Sequence, residues 1–90
     1  MNKADLVRAI VAETDATQKA SEAMLKAFTD TVMKAVADGD KVSLVGFGSF
    51  HSIVRKARMG RNPATGKEIN IPEKTVPKFS SGKEFRDLLS

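Results

Sequence analysis

Apolar residues recur at three- and four-residue steps through the first forty positions, which is the spacing of an amphipathic helix. Asn2 precedes the first such stretch and Asp5 follows three residues later, a pairing typical of a capping box at a helix N-terminus. The apolar stripe of this predicted helix contains Leu6, Val7, Ile10 and Val11.

A second, longer helix is predicted after Thr17, whose hydroxyl suits an N-cap position. Gly39-Asp40 is a typical stop signal at its C-terminus. Stripes of this kind are typical of a protein core rather than of a cofactor site. The stripe of the second helix contains Met24, Leu25, Phe28, Val32, Met33 and Val36.

From residue 41 the pattern changes to the alternation typical of strands. KVSLV (41–45) and SFHSIVRK (49–56) predict two strands joined by a tight turn at GFG (46–48). VPKF (76–79) predicts a third strand in the same sheet. The spacing in Ser81-Gly82-Lys83-Glu84 is that of a second capping box, so a short last helix is predicted to follow.

Residues 55–74 predict a β-ribbon that leaves the sheet, with Arg55 to Arg61 ascending and Lys67 to Lys74 returning. Asn62-Pro63 fits the first two positions of a type I turn, and Gly66 can adopt a left-handed conformation after it. Proline fixes φ and cannot donate to a strand ladder, which indicates a rigid tip. The whole pattern predicts an α+β fold: two N-terminal helices, a three-stranded antiparallel sheet with a protruding ribbon, and a short C-terminal helix.

Composition and length narrow the class of protein. Ninety residues, 41% hydrophobic and 29% charged, fit one small globular domain over 1–90, and no internal repeat is visible. The absence of cysteine excludes disulfides and suits a reducing compartment. The start, MNKADLVRAIVAETD, has no long apolar run and carries acids early, so neither a signal peptide nor a membrane span is expected.

Positive charge is concentrated in the second half of the chain. Residues 1–40 hold five basic and seven acidic side chains (5 − 7 = −2), whereas residues 41–90 hold ten and four (10 − 4 = +6). Residues 55–78 alone hold seven basic and two acidic side chains. Such a local excess indicates a polyanionic partner, with a merely solvated basic surface as the alternative.

Enzyme motifs do not fit. Five residues separate Gly60 from Gly66 and Glu68 follows Lys67, whereas a phosphate-binding loop needs four residues and then Ser or Thr. His51 is the only histidine, and no cysteine or second histidine could share a metal with it. We therefore expect no catalysis, no metal and no cofactor.

At this point the residues carry a resemblance to a family. GFGSFHSIVRKARMGRNPATGKE, residues 46–68, closely resembles the signature of the HU/IHF family of bacterial histone-like DNA-bending proteins. MNKADL at the start and VPKFSSGKEF near the end extend the resemblance over the whole chain. The length is more similar to HU than to the slightly longer IHF subunits. The ending RDLLS lacks the lysines common in the family.

The resemblance implies an intertwined homodimer, or a heterodimer with a paralogous subunit. Its parts would be a helical dimerisation base (1–40), a sheet (41–80) with a DNA-binding arm at about 55–75, and a C-terminal helix (81–90). Two chains could pool apolar surface that one chain with a protruding ribbon is too small to bury. The residues implied in this shared core are Phe47, Phe50 and Phe79.

The resemblance also implies a nucleoid-associated cytoplasmic protein that binds and bends double-stranded DNA with little sequence preference. A preference for bent, nicked or gapped duplexes is a further expectation. Each arm would lie in the minor groove, with Pro63 inserted between base pairs. Lys3 and Lys83, near predicted helix N-termini, are candidates for phosphate contacts from the body, with ordinary solvated surface as the alternative for each. The full implied DNA-binding set is Lys3, Arg55, Lys56, Arg58, Arg61, Asn62, Pro63, Lys67, Lys74 and Lys83.

A second functional class stays open: a module that binds structured RNA or an acidic protein electrostatically through the same ribbon. The chain has no Trp or Tyr and so lacks the aromatic pairs expected of a single-strand RNA reader.

Overall fold

The computed structural model describes residues 1–90, which divide into two compact units, 1–34 and 35–90. The element order agrees with the predicted fold class. In chain order the elements are α1 (Lys3–Thr14), α2 (Gln18–Ala37), β1 (Val42–Leu44), β2 (Gly48–Arg55), β3 (Arg58–Arg61), β4 (Glu68–Ile71), β5 (Lys74–Ser81) and α3 (Lys83–Asp87).

Both long helices begin at the predicted caps. The side chain of Asn2 accepts a hydrogen bond from the Asp5 backbone N–H (2.9 Å), and the Asp5 carboxylate accepts one from the Asn2 N–H (3.0 Å). At the start of α2, the Thr17 hydroxyl accepts from the Ala20 N–H at 3.0 Å. These bonds satisfy N–H groups that the first turn of a helix leaves without intrahelical partners.

The predicted stop of α2 is also confirmed. The Gly39 N–H donates to the Val36 carbonyl (3.0 Å) and the Asp40 N–H donates to the Ala35 carbonyl (2.9 Å). This pair of bonds is the Schellman arrangement, which satisfies the last carbonyls of the helix and turns the chain toward β1.

Three strands form the predicted antiparallel sheet, in the order β1-β2-β5. The turn from β1 to β2 is closed by a hydrogen bond from the Phe47 N–H to the Leu44 carbonyl at 3.1 Å. Strand β2 pairs with β5 over its full length, from Gly48 opposite Ser81 to Arg55 opposite Lys74.

The predicted capping box of the last helix is wrong. Ser81 is the last residue of β5, where it pairs with Gly48, so Gly82 becomes the N-cap and provides no side-chain bond. The Phe85 N–H donates instead to the Gly46 carbonyl at 3.2 Å. Ser81 therefore belongs to the sheet and not to the helix. The Gly46 carbonyl, in the turn before β2, accepts the hydrogen bond from the first turn of α3.

Very little of the chain is buried by the chain itself. Among all residues, only Val7 and Ser21 have fully buried side chains. On α2, Met24 and Met33 of the predicted apolar stripe remain 56% and 61% exposed. The stripe is helical as predicted, but one chain alone leaves much of it uncovered. None of the helices combines the length and the apolar character needed to cross a membrane.

Candidate nucleic-acid interface

The predicted ribbon is a separate two-stranded sheet, β3 paired with β4. We call residues 58–71 the arm. Arg55 lies opposite Lys74 in the sheet, and three residues farther along each strand Arg58 lies opposite Ile71, so the arm continues the register of the sheet. Between them, residues 56–57 and 72–73 leave the ladder, and Pro72 has no N–H to give to it. The arm therefore extends the β2–β5 hairpin through a short interruption that sequence periodicity did not predict.

The tip of the arm is fixed by backbone and side-chain hydrogen bonds. The Asn62 N–H donates to the Lys67 carbonyl (2.8 Å), and the Gly66 N–H donates to the Asn62 carbonyl (2.7 Å). The Asn62 side-chain oxygen also accepts from the Ala64 N–H at 2.9 Å. Gly66 adopts φ +70°, the left-handed conformation predicted for it. The closing bond spans Asn62 to Gly66, one residue more than the predicted type I turn.

Pro63 lies exposed within this bonded tip. Its ring carries no hydrogen-bond donor, and the bonds that close the turn come from the residues around it. The tip therefore presents an apolar, rigid group without disturbing its own hydrogen bonds.

Basic side chains of the arm have no acidic partner within ion-pair distance. The three ion pairs of the chain all lie within single helices: Arg8 with Asp5, Lys26 with Asp30 and Lys83 with Asp87. Even Arg61, directly opposite Glu68 in the arm, makes no ion pair with it. Unpaired cations on a ribbon leave their charge available to an external anion.

The predicted DNA-binding residues lie in several different settings. Arg58 and Arg61 project from opposite faces of the arm, since successive strand residues alternate. Lys74 belongs to the three-stranded sheet, where it faces Arg55, rather than to the arm. Lys56 lies in the interruption and Lys67 in the loop that follows the tip.

The two lysines predicted at helix N-termini differ. Lys3 is exposed at the start of α1, beside a groove that Leu6, Leu25 and Lys26 also line. Lys83 begins the short helix α3, but its ammonium lies 3.0 Å from the Asp87 carboxylate. A phosphate at Lys83 would therefore have to compete with a carboxylate, whereas none pairs with Lys3.

Four phenylalanines meet on one side of the three-stranded sheet. Phe50 and Phe79 are cross-strand partners with ring centroids 4.9 Å apart, and Phe47 lies 5.2 Å from Phe79. Phe85 of α3 stacks on Phe47 at 5.7 Å. We call these four the phenylalanine cluster. Phe47 and Phe79 remain 45% and 38% exposed in the single chain, so the cluster is incompletely covered.

Sequence reasoning missed two residues that the structure makes prominent. Phe85 was not among the phenylalanines predicted for the shared core, because the local sequence does not reveal that α3 folds back onto the turn at Phe47. Lys78 was counted among the basic residues but not placed in the interface. Its alternation with Lys74 along β5 was the signal that puts both on one face of the sheet.

No cluster of three or more His, Cys, Asp or Glu side chains that could hold a metal is present in residues 1–90. The arrangement is suited to holding an anionic polymer along a ribbon rather than to binding a metal.

Comparison with known proteins agrees with this geometry. The model of the bacterial DNA-binding protein family matches residues 1–90. DNA-binding protein HU of Nostoc sp. is 52% identical over 97% of this chain and 93% of its own length. DNA-binding protein HU of Clostridium pasteurianum is 49% identical over 97% and 96%.

Solved structures show the same similarity. Anabaena HU in a cocrystal with DNA superimposes with a TM-score of 0.94 at 50% identity, covering 100% of this chain and 98% of that one. A mutant HU from Thermotoga maritima superimposes with a TM-score of 0.75 at 30% identity, with both chains fully covered.

Proposed function

The chain belongs to the bacterial DNA-binding protein family, and on that premise we propose that it is a histone-like protein that binds and bends double-stranded DNA. The observation that carries the proposal is the arm: basic side chains without acidic partners on a ribbon that ends in a hydrogen-bonded proline tip. Phosphates would neutralise these cations, releasing counterions from the DNA.

We propose further that the arm lies in the minor groove and that Pro63 inserts between base pairs. HU is among the architectural proteins for which apolar wedges in the minor groove are a general mechanism. The exposed position of Pro63 supports this role, because a ring without an N–H can enter a base step without losing a hydrogen bond. The proposed contact set keeps the residues named from the sequence: Lys3, Arg55, Lys56, Arg58, Arg61, Asn62, Pro63, Lys67, Lys74 and Lys83.

The proposed active form is a dimer of identical chains. The accessible surface is 7462 Å², well above the roughly 5,100 Å² expected of a folded monomer of this mass. Much of the excess is apolar, including the exposed parts of Met24, Met33, Phe47 and Phe79. A second copy of the chain would cover this surface, and the phenylalanine cluster would become a shared core. Native mass spectrometry would show whether a paralogous subunit replaces the second copy.

We propose a non-catalytic, architectural role in the nucleoid of the bacterial cytoplasm, carried by residues 1–90 as one functional domain. The DNA-binding names of the relatives support this assignment. The preference for bent, nicked or gapped duplexes is also a proposal, since unstacked DNA would cost less to deform.

The salt dependence of binding tests the proposal. For the unaltered protein, log affinity for duplexes of unrelated sequence should fall linearly with log salt, by about 0.9 per phosphate neutralised. Arg61→Ala should weaken binding about two- to fivefold on every sequence and make the slope shallower by about one. Lys34→Ala, the same charge change on α2, is the matched control and should have a smaller effect.

A slope near zero would contradict the electrostatic interface. Equal or tighter binding to matched double-stranded RNA would instead favour the alternative function, a module that binds structured RNA through the ribbon. An unchanged slope in Arg61→Ala alone would remove that residue from the contact set while leaving the DNA-binding function in place.

A further inference from the structure

The face of the three-stranded sheet opposite the phenylalanine cluster carries its own pattern of charge. Successive residues of β2 alternate between faces, so His51 and Arg55 lie opposite the face that holds Phe50. The register pairs His51 with Lys78 and Arg55 with Lys74. This polar face therefore contains two cross-strand pairs of basic residues, separated by the apolar pair Ile53 and Val76.

Nothing within the sheet compensates these pairs. Strands β1, β2 and β5 contain no Asp or Glu, and no ion pair of the chain involves any of their residues. Arg55 and Lys74 are like charges directly opposite each other, an arrangement that destabilises an antiparallel sheet. Lys78 is exposed, and its charge has no internal partner. A face built this way gains from an external anion.

His51 contributes a ring nitrogen to the same face. Its Nδ1 is buried and has no hydrogen-bond partner. Its Nε2 makes no hydrogen bond within the chain and is open to solvent. Nε2 is therefore the ring nitrogen that can meet an external group, on the residue directly opposite Lys78.

We propose that His51 and Lys78 form a phosphate-binding pair that extends the DNA contact along the polar face of the sheet, beyond Arg55 and Lys74. The proposal rests on the DNA-binding function inferred above and adds two residues to its interface. The Lys78 ammonium would supply charge, and the His51 Nε2–H would donate a hydrogen bond to a phosphate oxygen.

The spacing makes this a separate contact. Four residues of strand separate His51 from Arg55, which is about 13 Å at a rise of about 3.3 Å per residue. Phosphates of one DNA strand are about 3.4 Å apart along the axis, so the two basic pairs are too far apart to share one phosphate. The His51–Lys78 pair would lengthen the bound stretch of duplex rather than reinforce an existing contact.

Substitution at Lys78 gives the first test. In full-length protein, Lys78→Gln should weaken binding to a duplex about two- to fivefold and make the salt slope shallower by about 0.9. The melting temperature of the free protein should stay nearly the same, because Lys78 is exposed and makes no ion pair in the chain. Lys34→Gln has the same change in charge on α2 and should leave the slope nearly unchanged.

His51 provides a second, chemically distinct test. His51→Ala should weaken binding about two- to fivefold, and His51→Gln, which keeps an N–H donor, should recover part of the loss. Circular dichroism and melting curves of both variants check that the fold is intact.

The outcomes separate this inference from the proposed function. If the unaltered protein and Arg61→Ala behave as expected but Lys78→Gln matches Lys34→Gln, the phosphate pair is overturned and the DNA-binding arm stands. Equal losses in His51→Ala and His51→Gln would overturn the hydrogen-bonding role of His51. If the unaltered protein shows no salt-dependent binding to DNA, the proposed function fails first.

Discussion

At the tip of the arm, the residues that hold the turn together are not the residue that the turn exposes. Asn62 closes the turn through its backbone and its side chain, and Gly66 supplies the left-handed conformation that returns the chain to β4. The Pro63 ring takes no part in these bonds. The tip can therefore be altered at Pro63 without removing the bonds that build it.

Replacing Pro63 tests whether it acts as a wedge. Pro63 is uncharged, so Pro63→Ala should barely change the attraction for phosphates. A kink costs about a few kcal/mol of stacking per base step, which an inserted ring partly offsets. We expect a loss of about tenfold, or about 1.4 kcal/mol, on intact duplex and less than about twofold on nicked duplex. Energy transfer between labelled duplex ends should report a smaller bend.

If Pro63 only stiffens the turn, both substrates should lose affinity equally, because loosening the turn acts before any DNA is deformed. Equal losses with an unchanged bend would leave Pro63 as a turn residue.

At the scale of elements, backbone packing between β2 and β5 depends on the first residue of β2. A methyl group on Gly48 would lie 2.5 Å from the Ser80 carbonyl oxygen and 2.6 Å from the Phe79 ring. Neither atom can move without disturbing the ladder or the phenylalanine cluster. The absence of a side chain at Gly48 therefore allows β5 and the phenylalanine cluster to pack closely against β2.

Gly48→Ala should destabilise the protein by about 1–3 kcal/mol, which is the usual cost of overpacking. At fixed protein concentration the melting temperature should fall by about 4–8 °C per kcal/mol. Ser52→Ala, in the same strand, is the control and should change stability by less than about 0.5 kcal/mol. Equal melting temperatures for the two variants would show that the sheet can shift to accept a side chain at position 48.

The elements that sequence predicted well are those set by local rules. The bonds at Asn2, Thr17 and Gly39 form between residues a few positions apart, so their signals can be read from sequence. Tertiary structure decided the rest. Ser81 has the local pattern of a cap, but its pairing with Gly48 across the sheet prevailed. The ladder interruption and the stacking of Phe85 likewise depend on residues distant in sequence.

At the scale of the whole molecule, the chain devotes a large part of its length to a ribbon that contributes little to burial. The side chains that would form a core in a monomer are instead left partly open on the phenylalanine cluster and on α2. Hydrophobic surface of this kind weakens a folded monomer and favours association. Folding and dimerisation should therefore be coupled.

Sedimentation at micromolar concentration should show a dimer, and the melting temperature should rise with protein concentration, since association shifts the unfolding equilibrium by mass action. A monomer whose melting temperature is independent of concentration would overturn the shared core.

The unbroken register between the sheet and the arm has a consequence for reach. A strand advances about 3.3 Å per residue, and successive base pairs are about 3.4 Å apart, so the ribbon and the duplex are measured in almost the same unit. Lengthening the arm by one cross-strand pair would carry the proline about one base step farther but turn the tip toward the opposite face. Two added pairs would restore the face and displace the kink by two steps, which the spacing of kinks along a bound duplex would reveal. Only an even number of added cross-strand pairs would therefore move the kink while keeping Pro63 on the same face of the arm.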